Sequence, residues 1–107
     1  TYQRRKDVLK RFLQAYKDSM TWMMRSPEEA AQLAVKRAID GQNLAMNLDI
    51  IKLRNASSVS TTTQAKGLGA FDLVSLQKGV QAYKAFGLIQ RDLSVQDVVS
   101  QDLLPAP

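Results

Sequence analysis

The side chains that most often carry chemistry are largely missing from these 107 residues. There is no cysteine and no histidine, which removes thiol nucleophiles, disulfides, cysteine-type zinc sites and the imidazole used for proton transfer near neutral pH. Carboxylates, glycines, methionines and one tryptophan remain. Glu28 and Glu29 are adjacent, so on a helix they point in different directions and do not form an acid–base pair. Their place behind Ser26-Pro27 explains them as charges that favour a helix N-terminus. Asp72, Asp92, Asp97 and Asp102 follow no calcium-loop spacing and have no histidine to complete a dyad. They read as caps and surface charges. Gly67 and Gly69 have no preceding strand, no third glycine and no Gly-Lys-Ser/Thr run, which leaves a tight turn rather than a phosphate cradle. No catalytic residue, metal ligand or cofactor site is expected, and the chain is expected to act by packing and binding, not as an enzyme.

Two features suit binding. Met20, Met23 and Met24 share the apolar stripe of the first helix, where they serve core packing before any adaptable surface. Trp22 lies off that stripe and is expected to contact something other than the main helical core, either within the chain or at a partner interface.

The elements that must position these residues follow from periodicity. Leu9, Phe12, Leu13, Tyr16, Met20, Met23 and Met24 recur at three- and four-residue spacing, which predicts an amphipathic helix over 5–24. Ser26-Pro27-Glu28-Glu29 carries a capping-box pattern with proline at the first helical position. It predicts a second helix over 27–39 with a small-residue face of Ala30, Ala31, Ala34 and Ala38, ended by Asp40-Gly41. Leu44, Leu48 and Ile51 predict a third helix over 43–54. The hydroxyl-rich stretch that follows has no periodicity and predicts a loop over 56–71. Asp72 as N-cap, Leu73, Leu76, Val80, Tyr83 and Phe86 at helical spacing and Gly87 as C-cap predict a fourth helix over 73–86. Ser94-Val95-Gln96-Asp97 predicts a short helical turn over 95–101 before Leu103-Leu104-Pro105. The fold class is therefore all-α, one unit over 1–107 with about four helices and a C-terminal turn.

Composition bounds the rest. With 45% hydrophobic and 23% charged residues the chain is expected to fold rather than stay disordered. No window reaches the ~20 apolar residues of a membrane span, and the first residues lack a signal-peptide core, so the chain is expected to be soluble and unanchored. The net charge of +5 sits in residues 1–25, where seven basic residues face two acidic ones. Most of these lie on the polar arc of the first helix, which reads as a solvated face; without interleaved aromatics it is a poor nucleic-acid site.

The order of signals is itself distinctive: Val8-Leu9-Lys10-Arg11-Phe12-Leu13-Gln14-Ala15-Tyr16, then Ser26-Pro27-Glu28-Glu29-Ala30-Ala31, then Lys66-Gly67-Leu68-Gly69-Ala70-Phe71-Asp72, then Phe86-Gly87-Leu88-Ile89 and Asp102-Leu103-Leu104-Pro105. It resembles the C-terminal part of periplasmic solute-binding proteins of the nitrate/sulfonate/thiamine-precursor type, over nearly the whole chain. The resemblance implies a piece of a larger two-lobed α/β fold that delivers a small molecule to an ABC-type membrane permease, in the periplasm or another extracytoplasmic space. It further implies that helices of this segment cover the outside of the lobes, that solute contacts come from strand ends and loops beyond this chain, and that no ligand-binding residue carries over. The same fold has an enzyme branch that depends on histidine and cysteine, and this chain has neither.

Two expectations compete. In the first, Leu9, Phe12, Tyr16, Leu76, Val80 and Tyr83 dock helices onto absent lobes, and apolar surface left bare leads to self-association or a paired chain. In the second, four helices close their own core and the basic first helix with Trp22 binds an acidic protein or nucleic acid.

Overall fold

In the computed structural model, which describes residues 2–107, every element is helical. The order is α1 (Lys6–Arg25), α2 (Pro27–Arg37), α3 (Leu44–Ser57), α4 (Thr61–Lys66), α5 (Leu73–Ala85) and a 3-10 turn (Val95–Asp97). No strand occurs among the described residues.

α1 and α2 meet at one residue. Ser26 ends α1 by donating its N–H to the Trp22 carbonyl at 2.9 Å, and its own carbonyl accepts from Ala30 N–H at 3.0 Å. Its backbone, at φ −133° and ψ 62°, is not the extended geometry that lets a cap oxygen reach the next turn, and its side chain caps nothing. The expected capping box is absent, while Pro27 does hold the first helical position. α2 stops two residues short of the expected 39, because Ala38 turns extended. α3 in turn runs three residues past 54, and Asn43 caps its start by accepting from Met46 N–H at 3.0 Å.

The expected loop over 56–71 contains α4 instead. Ser60 Oγ accepts from Thr63 N–H at 3.2 Å, and Thr63 Oγ1 accepts from Ser60 N–H at 2.8 Å. This is a reciprocal capping box in which hydroxyls start a helix rather than compete with it. α5 follows the expected pattern. Asp72 accepts from the Val74 and Ser75 N–H groups, both at 3.1 Å. At its far end Leu88 N–H reaches the Tyr83 carbonyl and Gly87 N–H the Lys84 carbonyl, both at 2.9 Å, with Gly87 at φ +75°; this is a Schellman ending. The turn expected over 95–101 is only the three-residue 3-10 element, and Ser94 caps nothing. Gln77 of α5 takes that role: Val95 N–H donates to its Oε1 at 2.9 Å and its Nε2 donates to the Leu93 carbonyl at 3.0 Å.

The packed centre is small. α2 lies on α3 through Ala30, Ala31 and Ile51, with Met23 of α1 and Leu48 against them. Alanines at the contact let two helix backbones approach closely, as their small-residue face predicted. Among the described helical elements α5 packs only on the 3-10 turn, and the residues after that turn run along α1. Tyr2 Oη donates to Asp102 at 2.6 Å, Lys6 Nζ lies 3.2 Å from the same carboxylate, and Lys17 Nζ donates to the Ala106 carbonyl. The Cα radius of gyration is 17.2 Å, against about 13 Å for a compact chain of this length. The accessible surface is 8395 Å², against about 6,000 Å² for a compact monomer of this mass. The helices are spread rather than closed on one another.

Candidate functional site

α1 carries the strongest apolar stripe in the sequence, yet none of its residues is buried. The stripe is divided among three neighbours. Met23 goes to the α2–α3 core. Leu13, Tyr16 and Met20 meet Leu68, Gly69 and Leu104 in a small cleft. Leu9, Phe12 and Leu13 border a groove whose other wall is Val98, Val99 and Leu103.

That last groove does not end at the tail. Val98 and Val99 also line a second depression with Leu76, Val80 and Tyr83 of α5. Two helices far apart in sequence thus share one apolar face, joined at Val98-Val99. Phe12 is 63% exposed, Tyr83 57% and Val98 59%. The Phe12 and Tyr16 rings, 6.4 Å apart and tilted, extend it along α1. Five of the six residues expected to dock onto absent lobes line these joined depressions, and Tyr16 adjoins through its ring contact. Sequence periodicity found the two stripes; Val98 and Val99, which make them continuous, carried no such signal.

The glycine pair serves the same region. A Cβ on Gly67 would stand 3.1 Å from Pro107 Cα, and one on Gly69 3.3 Å from Leu104 Cδ2. Both glycines have positive φ, +94° and +89°. The turn is therefore a seat for the C-terminal residues, and the missing side chains are what let the tail come close. Gln101 reinforces it by accepting from Phe71 N–H at 2.8 Å.

Several of the carboxylates serve as caps or latches. Asp102 takes hydrogen bonds from Ser100, Tyr2 and Lys6, which hold its carboxyl well below the usual carboxylate range; Ser100 contributes most, then Tyr2, with Lys6 adding a bond and its charge. The same contact raises Lys6. Asp72 is lowered chiefly by the Ser75 hydroxyl, 2.7 Å away, and by the backbone N–H groups it caps. Glu28 lies 3.8 Å from Lys52 and Asp92 2.5 Å from Lys84, all on the surface. Glu29 and Asp97 are exposed. No group of three or more histidine, cysteine, aspartate or glutamate side chains with metal-binding placement occurs among the described residues.

Trp22 is 40% exposed and lines neither depression of the joined apolar face. It lines a separate trough of about 660 Å³ with Leu33 and Arg37 of α2 and Ile50 and Arg54 of α3. The basic arc of α1 is solvated as expected, with Arg4, Arg5, Lys10 and Arg11 all exposed. No described helix is long and apolar enough to cross a membrane. Comparison with family models, with curated proteins and with solved structures finds no match.

Proposed function

We propose that this chain is the helical C-terminal segment of a solute-binding protein that captures a small molecule for an ABC-type importer outside the cytoplasm. The observation that carries the reading is the bare apolar face joining Leu9 and Phe12 of α1 to Leu76, Val80 and Tyr83 of α5 through Val98-Val99. A compact chain of this size would hide roughly 2,400 Å² more than this one does, which is the order of a permanent interface. At ~25 cal/mol per Å² of apolar area, leaving such a face in water forgoes a large part of what stabilises a small domain. The arrangement fits helices that clothe a larger body, and the ordered motifs from Val8 to Pro105 resemble those of that receptor family. In this reading the solute sits between α/β lobes supplied by the rest of the polypeptide, and this segment contributes scaffold rather than ligand contacts. Pairing of chains through the bare face is the expected substitute when the lobes are absent.

The competing reading, a self-contained bundle binding an acidic partner through its first helix, needs four helices to close their own core. α5 makes no contact with α1, α2 or α3, and the 3-10 turn is its one neighbour among the described helical elements, which counts against it. Light scattering with thermal unfolding of the isolated chain tests the proposal. The expected result is concentration-dependent association and a broad transition. A strictly monomeric chain with a sharp, cooperative transition would overturn it.

A further inference from the structure

The trough around Trp22 points a different way from the face assigned to the lobes. On a helix advancing 100° per residue, Trp22 is rotated about 80° from Phe12 and about 140° from Leu9, and it lies about 15–20 Å further along the axis. The trough shares no lining residue with the depressions of that face.

Its composition differs as well. The floor and walls are apolar, from Trp22, Met23, Leu33, Ile50 and Ile51, and the polar lining includes Arg37 and Arg54 but no acid. Among the described residues neither arginine has a carboxylate within the 4.0 Å of an ion pair. Tryptophan and arginine around an apolar floor are the residue types that dominate binding energy at protein interfaces. An open trough bounded by three helices suits a helix laid into it more than an enclosed small molecule.

We propose that the trough between α1, α2 and α3 seats an amphipathic helix of another protein, whose apolar stripe fills the space beside Trp22, Leu33 and Ile50 and whose flanking carboxylates pair with Arg37 and Arg54. A second copy of this chain is a poor occupant, since its longest amphipathic helix, α1, carries five basic residues against two acidic ones and would meet the two arginines with like charge. Guanidinium groups beside apolar surface give the pairing geometric selectivity, because each can take a carboxylate through two parallel N–H donors. The proposal stands apart from the solute-receptor reading, since it rests on a different surface.

The chain has a single tryptophan, so its emission reports the trough directly. The test titrates the 107-residue chain, at low micromolar concentration, with synthetic helical peptides of about four turns. One has a leucine stripe flanked by glutamates; a second has the same stripe flanked by lysines. The expected result is a blue shift of Trp22 emission with the glutamate peptide, at least about tenfold weaker binding of the lysine peptide, and a reversal of that preference in the Arg37→Glu, Arg54→Glu double variant. Far-UV circular dichroism of the variant checks that it keeps its helices, and a Leu33→Ser, Ile50→Ser variant, expected to lose both peptides, supplies a second line. Equal binding of the two peptides, or no shift with either, overturns the proposal. So does a shift given equally by vesicles of anionic phospholipid without peptide, or one that tracks self-association in sedimentation.

Discussion

Among the described residues Ala31 is the most buried, with 0% of its surface accessible, and it lies where α2 meets α3. Enlarging it forces two helix backbones apart, so Ala31→Leu is expected to cost about 1–3 kcal/mol, seen as a lower midpoint in helix melting by circular dichroism. The same change at Ala45, exposed on α3, is expected to stay within about 0.5 kcal/mol. Asp102 offers a pH test. Its carboxyl is held below its ordinary value by Ser100, Tyr2 and Lys6, so the contact stabilises the folded tail fully above about pH 4 and is lost as pH falls through the lowered value. Lys6, raised above 10.5, keeps its share below that pH and loses it as pH climbs beyond. Protection of the amides from Val98 to Leu104 against hydrogen exchange, taken relative to the intrinsic rate at each pH, is expected to fall on acidification below about pH 4. In Asp102→Asn that protection is expected to be low already at neutral pH and flat across the acid range. These residues illustrate what pattern reading reaches: Asp72 as a cap was legible from its place before Leu73, whereas Asp102 as a latch needed Tyr2 and Lys6, about a hundred residues away.

At the scale of elements, the clearest contrast is between two glycines. Gly41 has φ +68° and open space around its missing Cβ, while Gly67 has φ +94° and Pro107 at 3.1 Å. Gly41→Ala is therefore expected to cost only the left-handed penalty, about 1 kcal/mol. Gly67→Ala is expected to cost more, about 2–3 kcal/mol, and also to release the C-terminal residues, which faster exchange at Leu103 and Leu104 would register. α4 marks where element reading failed. Ser-Val-Ser-Thr-Thr-Thr looks like a loop by its hydroxyls, yet Ser60 and Thr63 stand at capping-box spacing and that spacing was the available signal. The reverse error occurred at Ser26 and Ser94, where the spacing was present and the backbone geometry or a competing acceptor, Gln77, took the bond elsewhere.

For the whole molecule, the question is what covers the joined apolar face. Phe12 and Tyr83 are both more than half exposed, so replacing them removes little packing. Phe12→Ser with Tyr83→Ser is expected to reduce self-association of the isolated chain by light scattering while moving the melting midpoint by no more than about 0.5 kcal/mol would. In a polypeptide that also carries the lobes, the same pair is expected to destabilise docking of this segment, which limited proteolysis after Lys66 and Lys84 would expose.

Short-range physics determined most of the helices directly: apolar spacing of three and four residues, Pro27 at a helix start, Asp72 and Gly87 at the two ends of α5. Each depends on neighbours within a turn or two, and those are written consecutively in the chain. Tertiary structure alone decided that the α1 stripe is divided among three partners, that Val98-Val99 bridge α1 to α5, and that Trp22 faces a trough with Arg37 and Arg54. These depend on where elements with no sequential relation come to lie, and a hydrophobic stripe states only that it wants covering, not by what.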